Sequence, residues 1–234
     1  MNTKLLLTVV FGFASLSADL SADEPVLDIT YRNDVAMDLV TQTPLLQDGA
    51  VFLGEGGAAF ADFAENALLE VPADPRLTFQ AGEPLWFEAW IDPARFGKGG
   101  PVLSKGMGGN YRILLDGKGH LAFGYYSQGG WRSVVAESPL ATGQWQHVAT
   151  LVLPGGNVLL FVNGEVVARA ENLPPLQSQD RSPVFIRAVR KDDGKAAASW
   201  EGRLGSLKLS RGNPRNVDPS IALGAKAFEV TSPF

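Results

Sequence analysis

From Ala58 onward the chain gives a strand signal about once every ten residues, and no helical period of comparable length appears beyond residues 1–18. The segments are "AAFADF", "ALLEV", "LWFEAWI", "YRILLD", "HLAFGYY", "WRSVVA", "WQHVATLVL", "NVLLFVN", "EVVARA", "PVFIRAV" and "RLGSLKL". Each is short and rich in β-branched or aromatic residues, which fit a pleated, half-buried surface. Loops such as "GKGGP", "GMGGN" and "SQGG" separate many of them, and 26 Gly and 15 Pro supply the tight turns that many short strands need. This rhythm predicts an all-β sandwich or barrel. With 234 residues and 45% hydrophobic content, the chain is long and apolar enough for one large β domain or two small ones.

Turn chemistry sharpens the pattern around "GQWQHVATLVLPGGNVLLFVNGEVVARA". Asn163-Gly164 tolerates two positive φ values and predicts a type I′ hairpin, "PGGN" makes the turn before it, and Asp116-Gly117 predicts a similar turn. Within Trp145 to Leu153, the odd positions carry Trp, His, Ala, Leu and Leu, so the odd set is expected to face the core. Trp86, Glu88 and Trp90 share one face of their strand, and Leu85, Phe87, Ala89 and Ile91 share the other. Either set could form the core on this pattern alone.

Residues 1–18 read as a secretory signal peptide: Lys4 is the positive start, Leu5 to Leu16 the apolar stretch, and Ser15, Ser17 and Ala18 the small residues suited to cleavage. The chain is therefore expected to be secreted or periplasmic after cleavage. Residues 19–57 form a lead-in packed on the domain, with "VLDITY" and "AVFL" as strands; residues 58–212 form the domain, and 213–234 a loop-like tail. No later run is long and apolar enough to span a membrane. There is no Cys, which excludes disulfides, thiol catalysis and Cys-zinc sites. A net charge of -5 argues against nucleic-acid binding, which needs a surplus of Lys and Arg.

"LWFEAWIDP", "VLSKG", "YRILLDGKGHLAFGY", "LATGQWQHVATLV", "NVLLFVNGEVVA" and "WEGRLGSLKLSRG", in that order, resemble the laminin-G-like, concanavalin A-like jelly-roll family. The earlier "AAFADFAENALLEVP" resembles the family's first pair of strands. The resemblance implies two antiparallel sheets packed face to face, preceded here by the signal peptide. It implies no single function, since such domains serve as glycan binders, adhesion modules and, in some branches, enzymes. Calcium-binding members often carry an Asp in the closing strand, where this chain has Gly202-Arg203-Leu204-Gly205. The case for calcium is weakened accordingly, and Asp62 and Glu65 are the nearest substitute ligands.

Catalytic patterns are missing from the sequence. Glu88 stands alone in "LWFEAWI", and no set of acidic residues at i, i+2 and i+4 or i+5 within a strand supplies the acids a glycosidase of this fold needs. His120 and His147 lack metal-ligand spacing; Gly97 to Gly109 lacks the Lys-Ser/Thr ending of a phosphate loop and reads as a sheet-end loop; Asp192-Asp193 reads as a surface turn. The chain is thus expected to be non-catalytic and to need no cofactor. What remains is "GYYSQGGWRS", where Tyr125, Tyr126, Gln128, Trp131 and Arg132 surround a Gly129-Gly130 turn, to which the outward reading of Glu88 adds a carboxylate. Sugars present flat C–H faces to aromatic rings and hydroxyls to polar groups, so these residues are the ligand-site candidates. Adjacent Tyr125 and Tyr126 should point to opposite faces, and Trp131 is weighted toward the core. The reading is an exported binding module for polysaccharide or glycoprotein glycans. The alternatives are an adhesion domain for protein contact and, more weakly, a hydrolase or lyase of the same fold.

Overall fold

The structure is a computed structural model that describes residues 24–32, 34–55, 58–106, 110–178, 181–188, 196 and 200–234, without the side chains of 55 and 64–66. The signal segment and the Asp192-Asp193 turn lie outside the described residues. In chain order the strands are β1 (Glu24–Arg32), β2 (Val35–Asp38), β3 (Thr43–Pro44), β4 (Leu46–Glu55), β5 (Ala58–Val71), β6 (Leu85–Arg95), β7 (Gly99–Lys105) and β8 (Tyr111–Asp116). They continue with β9 (His120–Ser127), β10 (Gly130–Pro139), β11 (Gln146–Val152), β12 (Val158–Val162), β13 (Glu165–Ala170), β14 (Val184–Ile186) and β15 (Glu201–Arg211). A single 3-10 turn, Pro75–Leu77, is the one helical piece among the described residues.

Antiparallel pairing runs along one path, β10-β9-β8-β7-β14-β5-β15-β6-β11-β12-β13. The path folds over so that β10 packs against β12 and β13, which makes two facing layers of a jelly roll. β1 pairs with β15, β2 with β1, and β4 with β5 along the edge away from β14 and β15. The lead-in is therefore part of the sheets. "AAFADF" and "ALLEV" are one strand, β5, and the expected sheet-end loop is strand from Gly99 to Lys105, because Val102 and Leu103 bury their side chains between the layers.

The core between the layers is built by alternation. β6 sends Leu85, Phe87, Ala89 and Ile91 inward, β8 sends Tyr111, Ile113 and Leu115, and β9 sends Leu121, Phe123 and Tyr125. On β11 the inward set is the even one, with Val148 and Val152 in this core. The expectation that Trp145, His147, Ala149 and Leu151 face it is corrected. They point the opposite way, where residues 213–234 lie over the sheet.

That tail makes a second hydrophobic layer. Val217, Ile221, Ala227 and Phe228 pack on Trp86, Ala149, Leu151, Leu159, Phe161 and Val166. Backbone bonds tie it to the β12–β13 hairpin: Val166 N–H donates to Ala225 O, Gly224 N–H to Val166 O, and Ala227 N–H to Gly164 O. Farther along, the Phe234 ring stacks on Trp145 with centroids 3.8 Å apart and planes within 8°. Both faces of β11 are buried, so its sequence is apolar at odd and even positions alike, and alternation alone picked the wrong face.

The hairpin turns follow their residues with two corrections. Asn163 and Gly164 adopt φ of 51° and 80°, the expected type I′ turn. In the β8–β9 loop, Gly119 rather than Asp116-Gly117 takes the positive φ, at 93°, and Gly119 N–H closes on Asp116 O. Asp116 ends its strand instead: its carboxylate accepts from the backbone N–H groups of Lys118 and His120. The β9–β10 turn centres on Gln128 and Gly129, at φ 48° and 74°, one residue earlier than the expected Gly129-Gly130.

Candidate functional site

The β9–β10 hairpin divides the predicted cluster between two faces. Its register places Trp131 opposite Tyr126 and Arg132 opposite Tyr125. Trp131 and Tyr126 lie on the outer face, 39% and 54% exposed, so the weighting of Trp131 toward the core is corrected. Tyr125 is only 1% exposed and donates its hydroxyl to the carbonyl of Pro174, so it is withdrawn from the exposed cluster. Burial pushes its phenol up, partly offset by Arg132, which lies on this inner side. Gln128 is exposed at the turn.

The outer face gains a residue that the sequence reading missed. Arg112 on β8 stands opposite Gly124 on β9, and its guanidinium carbon is 4.8 Å from the Trp131 ring centre. Gly124 makes this possible, because a Cβ there would come within 2.5 Å of the indole. The ring thus lies across bare backbone, with Tyr126 beside it and Arg112 at its side. Next to Arg112, a depression of about 400 Å³ is lined by Lys98, Gly100, Pro101, Leu114 and Asp116. Arg112 and Leu114 alternate with buried Tyr111, Ile113 and Leu115, and that period of two in "YRILLD" is the signal that could have set them outside; what hid the site was the cross-strand register, which depends on the Gly119 turn.

Glu88 belongs to a different place, a polar cavity of about 400 Å³ beneath the tail, lined by Asp28, Trp90, His147, Lys208 and Arg215 and by residues 229–231. Strand register sets the charges in a row: Asp28 on β1 faces Lys208 on β15, which faces Glu88 on β6. Glu88 Oε2 accepts from Arg215 Nη2 at 2.8 Å and lies 3.3 Å from His147 Nε2. Burial pushes the Glu88 carboxyl up, but the hydrogen bonds and charge of His147 and Arg215 outweigh it and hold it at about 2. Asp28 is raised, chiefly by burial, with Lys208 pulling the other way. Held ionised by two donors, Glu88 is placed to accept hydrogen bonds and not to donate a proton. Trp86 is fully buried under Phe228, and Trp90 packs edge-on against His147.

The calcium substitutes fare unevenly. Asp62 stands opposite Arg203, whose guanidinium bonds Asp92; the Glu65 side chain is outside the described set. Among the described residues no three His, Cys, Asp or Glu side chains converge as a metal site.

The family model Laminin_G_3, described as the concanavalin A-like lectin/glucanases superfamily, matches residues 65–213. The chain belongs to this superfamily. No curated protein matches the chain. Among solved structures, this superfamily member is similar to the binding domain of Paraclostridial Mosquitocidal Protein 1, with 15% identity and a TM-score of 0.60 over 81% of this chain and 48% of that one. It is similar to domain 4 of AbnA, a GH43 extracellular arabinanase of Geobacillus stearothermophilus solved with arabinotriose, at 14% identity and TM-score 0.63, covering 83% of this chain and 96% of that one. The CBM40 of Ruminococcus gnavus IT-sialidase, bound to α2,3-sialyllactose, aligns at 13% identity and TM-score 0.53, covering 70% and 90%. At these identities the likeness is one of fold, and the lectin/glucanase fold carries its chemistry in individual sites.

Proposed function

We propose that this chain is a non-catalytic glycan-binding module, exported by its first eighteen residues, whose ligand lies on the outer face of β8, β9 and β10. The observation that carries the reading is the Trp131 indole, laid on Gly124 with 39% of the residue exposed and Arg112 4.8 Å from its centre. An exposed ring held in one orientation offers a stacking surface at small entropic cost, and the neighbouring guanidinium and the Tyr126 hydroxyl supply donors for sugar oxygens. Solved relatives of this fold that bind arabinotriose and sialyllactose support the reading. The test is a glycan array probed with the mature chain and with Trp131→Ala. Retention of the same glycans by both proteins would overturn the assignment.

A second reading is favoured by β4. Leu46, Val51 and Leu53 are exposed along this strand, which pairs with β5 on one side. Apolar side chains on a sheet edge suit a protein contact. Val51→Lys and Leu53→Lys would abolish such a contact and leave glycan retention intact.

A further inference from the structure

We infer that residues 229–234 are a displaceable strap over a second sugar site, in which a neutral pyranose ring replaces the Phe234 ring on Trp145. The site shares no residue with the platform at Trp131 and goes beyond the function proposed above. The Phe234 ring fills an aromatic slot: Trp145 lies parallel to it at 3.8 Å, and Phe60 and Trp90 meet it edge-on at 6.2 and 6.3 Å. The floor is bare backbone at Gly205, where a Cβ would come within 2.7 Å of the ring. Arg203, itself bonded to Asp92, lies 5.1 Å from the Trp145 ring centre and holds the indole in place. The slot adjoins the polar cavity, because Trp90 walls both and residues 229–231 line the cavity.

Up to Phe228 the tail is fastened to the β12–β13 hairpin by backbone bonds. Beyond it, among the described residues, the hydrogen bonds of 229–234 are internal. Ser232 Oγ donates to Phe234 O, Phe234 N–H donates to Ser232 Oγ, and Glu229 pairs with Lys226 of the same tail. Thr231, Ser232 and Pro233 are exposed, so the Phe234 ring and half-buried Val230 hold the strap down. The ligand class follows from the polar groups. Glu88 is bonded by Arg215 and His147, and Asp28 faces Lys208, so the charges of the cavity are matched to one another and suit a neutral ligand. His147 is 3% exposed, and its Nδ1 has no partner among the described residues; the buried indole N–H of Trp145 has none either. A phenyl ring offers neither of them a hydrogen bond. A pyranose has a similar footprint, C–H faces for the indole, and hydroxyls that donate or accept.

Affinity gel electrophoresis tests this on the mature chain carrying Trp131→Ala, which removes the first platform, with galactomannan, arabinan or hydroxyethyl cellulose in the gel. Adding Phe234→Ala should strengthen retardation by at least one polymer about tenfold, because the strap no longer competes for the slot. Adding Trp145→Ala as well should abolish that gain, and Trp145→Phe should keep part of it. No gain from Phe234→Ala with any polymer, or a gain that survives Trp145→Ala, overturns the strap and its site, whatever Trp131 does. A gain that needs Trp145, beside a parent chain whose retardation ignores Trp131, supports the strap and sinks only the first platform. No gain with any polymer, but a melting curve of Phe234→Ala raised by N-acetylphenylalanine amide, overturns the sugar and assigns the slot to an aromatic side chain. Should Phe234→Ala unfold, Phe234→Leu keeps the apolar bulk without the stacked ring and carries the same comparison, and no gain in that protein overturns the proposal.

Discussion

Gly164 shows how one residue serves the turn and the tail together. Its φ of 80° favours glycine, and a Cβ built there would stand 2.1 Å from the Phe228 carbonyl oxygen. Gly164→Val should therefore cost more than the ~1 kcal/mol of left-handed strain, because the tail must also lift. A melting curve that does not move would show that the tail is not seated there. Trp131 behaves in the opposite way. Its partial exposure means that Trp131→Ala should cost well below the ~3–5 kcal/mol lost by a core Trp, as read from denaturant unfolding. Tyr125→Phe removes one hydroxyl bond to Pro174 and should cost about 1 kcal/mol, with glycan retention unchanged. At this scale the alternation of "GYYSQGGWRS" separated Tyr125 from Tyr126 correctly. It could not say which ring was outside, since that depends on which layer the hairpin joins.

At the scale of elements, the tail decides the fate of the outer face of β6, β11 and β12. Phe228 packs against Trp86 and Phe161, with ring centroids 5.6 and 5.3 Å apart. Phe228→Ala should destabilise by about 2 kcal/mol, less than a fully buried Phe because the residue is only half-buried. Unfolding at neutral pH measures it, and an unchanged midpoint would mean that the tail adds little. The tail also brings Arg215 to Glu88, and this gives the fold an acid-sensitive joint. Because the folded carboxyl is held at about 2 against an ordinary value of 4.5, its stabilising contribution is complete above about pH 4.5 and is lost as pH falls toward 2. The contribution is on the order of 3 kcal/mol. Glu88→Gln should lower stability at pH 7 and flatten the acid limb over that window. An acid limb identical to wild type would show that the Arg215 and His147 contacts do not form in solution.

For the whole molecule, the family match at residues 65–213 is shorter than the unit that packs. β1 lies on β15 and buries Leu27, Ile29 and Tyr31 in the main core, and β4 covers the edge of β5. A chain that starts at Ala58 would leave those partners bare, and it should be largely unfolded or aggregated by circular dichroism and size-exclusion chromatography. A well-folded product would show the lead-in to be dispensable.

The sequence by itself determined the class of fold, most strand positions and the Asn163-Gly164 hairpin, because these rest on period, β-propensity and local φ preferences that each segment carries alone. It read Glu88 as alone in "LWFEAWI", but the strand runs on to Arg95 and includes Asp92 at i+4, whose carboxylate bonds Arg203. Only the tertiary structure decided which face of β11 met the core, that Trp131 lies outside and Tyr125 inside, and that Arg112 stands beside the indole. It alone placed Glu88 with Asp28, Lys208 and Arg215, four residues from four separate stretches of the chain. The physical reason is the same in each case. A strand with both faces covered is apolar on both, so its pattern does not say which cover is the core. A site assembled across strands is set by register, and register depends on turns and bulges that a single residue can shift.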